Sequence, residues 1–577
     1  RDLRRRVTFK HTSQVLDDLQ NQVEAAMLHP DTHPLAPEDL LEPLQEVAEW
    51  VEAHYNGLYL EAIRMFQFKV RLFGMHFASI DIRQDSRVLR AARNEVLDAC
   101  WNGGAAAFEA LTFEERMDHL MNGPVELRVE LTEERHRDAL SSLGAMRDIQ
   151  KQNGATACHR FIISNCRGAE DVAGVLFLAR AAGWKGSLAL DVVPLFETID
   201  DLSRAKQEML LLYQRTDYRA HLEQRSQRQT IMLGFSDGTK DGGYLRANWS
   251  IYRAKEGLTQ ISREAGITAL FFDGRGGPPA RGGGNTHRFY ASLGNRIESK
   301  EIQTTIQGQT ISSNFGIPKS ALFNMELLLT AGLQNRLFDA TEAASIAEED
   351  ALMDELSAAS FAHYERLKND PAFMPYLETY GTLRYYGETN VGSRPTRRQS
   401  DGPLTLDDLR AIPFVGSWSQ LRQNVPGYYG LGSALEALEQ QGRLEEASRL
   451  YERNDFFRAL VENSMQSMLK SDFRLTAHLE HDEQFGGIWT SIRDEYELTK
   501  RWVLFISGQS SLMERNPHIR ESLGLRDDII RPLLVIQHFA LGQLAQGSGN
   551  SDWSDDVLER LVVRSMFGII NASRNAV

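Results

Sequence analysis

"ITALFFDGRGGPPARGGG", residues 267–284, joins a short apolar run to a segment in which six glycines and two arginines fall within eleven positions. The run has the aliphatic and aromatic character of a buried strand. The segment after it is so poor in Cβ atoms that successive backbone N–H groups can converge on an anion, and Arg275 and Arg281 add bidentate donors matched to phosphate or carboxylate. A surface loop or a nucleic-acid-binding tail would explain an isolated glycine-arginine stretch equally well. Its place directly after a strand, its double proline and its single occurrence favour an anion loop. It is neither a dinucleotide fingerprint nor a P-loop, since no Gly-Lys-Ser/Thr follows and no clean GxGxxG opens a helix.

The same arrangement recurs along the chain. Strand-like runs are "FASIDI" (77–82), "RFIISN" (160–165), "LALDVVPLF" (188–196), "TIMLGF" (230–235), "ITALFF" (267–272) and "AIPFVGSW" (411–418). Helical segments separate them, among them "AEDVAGVLFLARAAG" (169–183) and residues 339–370, where Asp339 is placed to cap a helix with Glu342 three residues on. Strand followed by helix, repeated, predicts a parallel sheet. Unusual residues cluster just after the runs, as at the carboxyl ends of the strands of an α/β barrel. The expected fold is α/β, a TIM-type (β/α) barrel heavily decorated with helices and α-rich overall. A closed barrel takes eight strands, so the two beyond these six are expected upstream of Arg1 or unread. Residues 1–76 read as a helical segment with Pro37 in a first helical turn, 77–432 as barrel strands and catalytic loops, and 433–577 as a helical layer.

A chain of 577 residues buries a core without covalent staples, and Cys100, Cys158 and Cys166 show no metal-ligand or redox spacing. A reducing cytosol is the expected compartment. The net charge of -15 argues against general affinity for nucleic acid or anionic membranes, and no apolar stretch is long and uncharged enough to span a bilayer. Any anion site is therefore local.

Further chemistry-bearing residues sit beside the runs. "LGFSDGTKDGG" (233–243) sets Asp237, Lys240 and Asp241 on what reads as a glycine-punctuated turn, able to hold a hard cation next to an oxyanion, although such a turn is more often only a turn. Glu197 in "PLFETIDDL" (194–202) stands at a strand end, while Asp200 and Asp201 suit a solvated helix start. Arg83, Arg410 and Arg422 recur at comparable places. Several guanidiniums brought together would repel one another unless an anion or carboxylates lay among them. Two carboxylates, a lysine and several arginines fit a small phosphorylated carboxylate with a divalent metal.

In this order, "ASIDIRQDSR", "PLFETIDDL", "IMLGFSDGTKDGG", "FFDGRGGPPARGGG", "GSRP" and "LRAIPFVGSWSQLR" resemble phosphoenolpyruvate carboxylase over essentially the whole chain. The resemblance implies a helix-rich homotetramer around an eight-stranded barrel, which joins phosphoenolpyruvate and bicarbonate into oxaloacetate and phosphate with Mg or Mn. By the same resemblance Glu197 and Asp237 hold the metal and Lys240 sits in the active site. Arg83, Arg275 and Arg422, with Arg410 as a further member, grip substrate. Arg281 stabilises carboxyphosphate, and Leu195 and Met232 wall the nascent CO2. Lys470, Arg515, Asn575 and Arg281 fall where the family binds aspartate or malate as inhibitors. The family's Thr-Ala-His-Pro-Thr-Glu motif does not occur, so this chain is expected to be a carboxyl-terminal portion, incomplete for catalysis alone. Asp273 stands where the family carries His and is expected to bring negative charge toward the phosphate; "RNAV" replaces the family's terminal Asn-Thr-Gly. Rival readings are a catalytically inactive phosphoenolpyruvate-binding or regulatory relative, and another phosphoenolpyruvate-using metal enzyme.

Overall fold

The computed structural model describes residues 2–30, 32–337, 343–388, 406, 409–547 and 553–573. The cap at Asp339 and Glu342, "GSRP" (392–395), Asn575 and the terminal "RNAV" lie outside the described residues. The chain divides into two compact units, Arg1–Leu195 with Leu211–Thr230, and Phe196–Leu210 with Ile231–Val577.

The first unit opens with helices Asp2–Arg6, Lys10–Leu28, Pro37–His54 and Leu60–Phe73. Pro37 is the first helical residue, where its missing N–H goes unneeded. The periodic stretch up to Gly74 is two helices because Asn56, Gly57 and Tyr59 take φ of 48°, 72° and 66° between them. Leu44, Val47, Val51, Ile63 and Val70 form a buried cluster. Three strands follow, β1 (Asp81–Asp85), β2 (Arg160–Ser164) and β3 (Asp191–Phe196), paired in parallel with Arg83 opposite Ile162 and Ile162 opposite Val193. Helix Ala169–Ala181 connects β2 to β3 and is buried on nearly every side, as a crossover between parallel strands requires. β1 lies later than the apolar run suggested. Phe77 has φ 63° and, like Ile80, is exposed, whereas Asp81 pairs in register with Arg160 and lies 3.3 Å from its guanidinium. Arg83 is therefore on the strand, not after it.

In the remainder of the chain are β4 (Arg228–Gly234), β5 (Thr268–Gly274) and β6 (Ile302–Thr304), with β5 and β6 parallel and Asp273 opposite Thr304. The six strands follow chain order in the sheet. The fold is helix-rich α/β with a parallel sheet.

One expected strand is wrong. "AIPFVGSW" forms most of the helix Ala411–Gln420. Pro413 suits a first helical turn, and Phe414 and Trp418, four residues apart, join Phe373, Tyr376 and Trp489 in the core. A short apolar run buried on all sides carries no period that separates strand from helix. Conversely, β6 reads "IQT", three half-buried residues too few for a strand signal. The described residues beyond 433 are mostly helical, in helices that include Leu444–Arg453, Asp455–Leu469, Gly486–Ser507, Pro517–Gln546 and Asp555–Ser573. Among the described residues no helix is long and apolar enough to cross a membrane.

Trp418 is fully buried. Trp418→Ala is expected to destabilise the second unit by about 3–5 kcal/mol, read as a lower denaturant midpoint by tryptophan-independent circular dichroism; an unchanged midpoint would contradict the helical packing.

Candidate active site

Arg83 and Leu195 belong to the first unit, on β1 and β3, where the Leu195 carbonyl accepts a hydrogen bond from the Cys166 N–H at 3.3 Å. The other described site residues belong to the second.

After β4 the chain does not turn. It enters the helix Phe235–Gly242 at once, which corrects the reading of 235–242 as a turn and sets Asp237 and Lys240, three residues apart, on neighbouring positions of one helix face. Gly234 makes this possible: a Cβ there would lie 3.2 Å from both Cα and Cγ of Glu197. Glu197 is buried, and its carbonyl lies 3.4 Å from the Cβ position of Gly238, so its backbone packs against the glycines that bracket Asp237. Asp241 accepts the N–H of Ile199 at 2.9 Å and ties the helix to residues just beyond Glu197. Lys240 is buried and donates to the carbonyls of Leu406 and Leu409 at 2.9 and 2.8 Å, while its own carbonyl accepts the Tyr364 hydroxyl at 3.0 Å. Leu409 adjoins Arg410, the residue preceding helix Ala411–Gln420, so the ammonium is fixed beside that helix start.

The glycine loop is folded on its own arginines. Arg275 and Arg281 are 3% and 4% exposed. The Arg275 guanidinium lies over the Phe289 ring at 4.0 Å from its centroid and donates to the carbonyls of Gly282 and, at 3.2 Å, Gly283. Arg281 donates from Nε to Ser236 Oγ at 3.2 Å and from its terminal nitrogen to Gln307 Oε1. Burial pushes its pKa down to about 10, against which the nearby Asp237 and Tyr386 act, so it stays charged at neutral pH. The tight reversal at Pro278–Gly283 admits no side chain at position 283, where a Cβ would stand 1.9 Å from the Gly277 carbonyl oxygen. Met232, on β4, is buried with its Cε 3.3 Å from the Cβ position of Gly274.

Asp273 does not send its charge toward the loop. It is 1% exposed, with Lys255 Nζ 2.7 Å from Oδ1 and 2.8 Å from Oδ2, and its Oδ2 also accepts the Tyr290 hydroxyl at 2.8 Å. Sequence reasoning missed Lys255. The signal was present, since Ile251, Lys255 and Leu258 share one stripe of helix Tyr244–Glu264 and a lysine there requires a buried counter-charge.

Arg422 and Lys470, read for substrate and effector respectively, come together. Arg422 adopts φ 56° and donates to Asp527 Oδ1 at 2.6 Å. Burial lowers the Lys470 pKa to about 8, with Arg422 and Arg526 adding to the effect and Asp527 opposing it. Lys470, Arg526, Arg288 and Asn463 line a cavity of about 270 Å³ together with Gly277 and Gly284 of the glycine loop. Arg515 does not line it; its main-chain N–H is bound to Gln509 Oε1 at 3.1 Å, and Arg526 is among the lining guanidiniums. Among the described residues no group of three or more His, Cys, Asp or Glu side chains could hold a metal. Two carboxylates are what Mg²⁺ commonly takes from a protein, the remaining positions going to water and substrate oxygens.

A family model described as phosphoenolpyruvate carboxylase matches residues 2–576. A phosphoenolpyruvate carboxylase of Corynebacterium diphtheriae is 32% identical over 567 residues, covering 94% of this chain and 61% of that protein. Those of Nocardia farcinica and Xanthomonas campestris pv. campestris are 31% and 32% identical over 97% of this chain and 62% of theirs. The chain thus spans about three fifths of the length of the curated relatives it matches.

Gly283→Ala is expected to break the loop reversal and let trypsin cut after Arg275 or Arg281 under conditions where the wild type is intact there; equal resistance would refute the packed loop. Lys470 has a folded pKa below its unfolded 10.5, so its ammonium is lost as pH rises through about 8 and the burial penalty is relieved above that pH. Sulfate, whose own charge is constant there, is therefore expected to bind the cavity more weakly above about pH 8, while Lys470→Arg flattens the profile in calorimetric titration.

Proposed function

The chain belongs to the phosphoenolpyruvate carboxylase family, and on that premise we propose that it carries the metal, phosphate-gripping and loop parts of an enzyme converting phosphoenolpyruvate and bicarbonate into oxaloacetate and phosphate. The observation that carries this reading is the juxtaposition within one unit of the Glu197–Asp237 strand and helix ends with a loop holding two buried guanidiniums.

Glu197 and Asp237 would hold Mg²⁺ or Mn²⁺, and the fit rests on their hard oxygen donors and on the space that Gly234 leaves beside Glu197. The ion, when bound, would offset negative charge on phosphoryl and enolate oxygens. In this proposal Arg275, with Arg83, Arg410 and Arg422, orients the phosphate as it passes to bicarbonate oxygen, and Arg281 stabilises the carboxyphosphate formed. Carboxyphosphate then yields CO2 and phosphate, and the enolate carbon attacks CO2. Leu195 and Met232 supply an apolar wall there, and a loop folded over the site keeps water from protonating the enolate to pyruvate. Lys240, held by two main-chain carbonyls, adds fixed positive charge beside Asp237. Pairing of Asp273 with Lys255 supports catalysis over a purely binding role, because the carboxylate is neutralised before it reaches the phosphate.

The same premise extends to a barrel across residues 77–432, flanked by helical segments 1–76 and 433–577, a cytoplasmic location without nucleic-acid or membrane partners, and a homotetramer. The parallel strands support the first. Exposed Leu322, Phe323, Met325, Leu329 and Leu333 on helix Pro318–Leu337 support assembly. Aspartate or malate as inhibitor is supported by the cavity where Lys470 and Arg526 meet the glycine loop.

The test supplies the protein as its gene encodes it with phosphoenolpyruvate, bicarbonate and Mg²⁺, and follows oxaloacetate by coupled reduction to malate. A bicarbonate-dependent signal is expected, and its absence would return the reading to a binding protein. Lys240→Ala should lower kcat roughly a hundredfold; unchanged turnover removes Lys240 from the site.

A further inference from the structure

We propose that Lys255 is a positioning residue for Arg275: by neutralising Asp273 it keeps that carboxylate from capturing the guanidinium two residues further on. The inference rests on the carboxylase reading for its kinetic test, but its geometry stands apart from it.

Asp273 ends in a dry environment, and Arg275 is the cation nearest to it in sequence, its N–H already bound to the Asp273 carbonyl at 2.8 Å. Both cations lie against the same two rings. Lys255 Nζ is 5.6 Å from the Phe289 centroid and 5.9 Å from that of Tyr290; the Arg275 guanidinium is 4.0 and 5.6 Å from them. A buried carboxylate is costly unless it is paired and hydrogen-bonded. Here it takes Lys255 on both oxygens and a hydroxyl from Tyr290. Arg275 is thereby left to the Gly282 and Gly283 carbonyls and sits at the loop rather than behind it. Burial and Arg275 lower the Lys255 pKa while Asp273 raises it, so each member of the cluster bears on the others. Without Lys255, Asp273 would draw Arg275 backward, and the two loop carbonyls would lose their donor.

Four full-length proteins test this: wild type, Lys255→Met, Asp273→Asn and the double variant. Lys255→Met is expected to raise KM for phosphoenolpyruvate about tenfold or more, since a charge-assisted contact to phosphate is lost. Asp273→Asn removes the competitor, and the lone Lys255 can release its proton, so KM stays within about threefold of wild type. The double variant should recover to the same range, a rescue that a merely structural ion pair would not give. A folded Lys255→Met protein with wild-type KM overturns the proposal, as does a double variant no better than Lys255→Met. If Lys255→Met does not fold, the others decide: near-wild-type KM in both supports the proposal, and a tenfold rise in either overturns it. Should the wild type make no oxaloacetate, the carboxylase reading fails alone, and tryptic cleavage after Arg275 still decides this one. Faster cleavage in the Lys255→Met protein, or, if that variant does not fold, wild-type protection in the other two, supports the proposal; the opposite result overturns it.

Discussion

A guanidinium taken out of water must find acceptors for its donors and a surface for its faces, and the glycine loop is shaped by that requirement. Arg275 meets it with the Phe289 ring and the carbonyls of Gly282 and Gly283, and Arg281 with Ser236 and Gln307. The loop backbone has to bend tightly enough to present those carbonyls inward. Gly282 does so at φ 80° with no room for a Cβ beside Phe235, and Gly283 lies against the Gly277 carbonyl. The glycines thus let the chain solvate its own cations and hold their charge in place.

The same constraint organises the charges around the loop. Three buried cations show two kinds of partner: main-chain carbonyls for Lys240, and aspartates for Arg422 (Asp527) and Lys255 (Asp273). These choices divide the cations by duty. Where a carboxylate is bound on both oxygens, as with Lys255, the charge is consumed structurally; Arg281, held by a hydroxyl and an amide carbonyl, stays charged at neutral pH. Lys470 stands between these cases, with a depressed pKa near an arginine-rich cavity wall.

Much of the architecture was legible along the chain. Runs at 160–165, 188–196, 230–235 and 267–272 contain or overlap β2 to β5, and the alternation with helices anticipated parallel pairing. Errors fell where local pattern carries little information. The run at 411–418 is buried throughout, so its hydrophobicity has no period, and the packing of Phe414 and Trp418 decides for a helix. The segment 235–242 looked like a turn because Gly and Asp favour turns in isolation, yet Asp241 bonded to the Ile199 N–H and the contacts of Lys240 hold it helical.

The sequence by itself determined the family, the parallel pairing and the approximate places of β2 to β5, since these depend on residue types at short spacing. Partnership it could not determine. Asp273 looked like an intruding charge because its counter-ion, Lys255, is supplied by a different element and meets it only when helix Tyr244–Glu264 packs on β5. Arg526 likewise comes beside Lys470 through the folding of helix Pro517–Gln546, a neighbour the spacing along the chain did not indicate. Charge interactions fall off with distance through space, and only the tertiary fold sets which charges are near and dry.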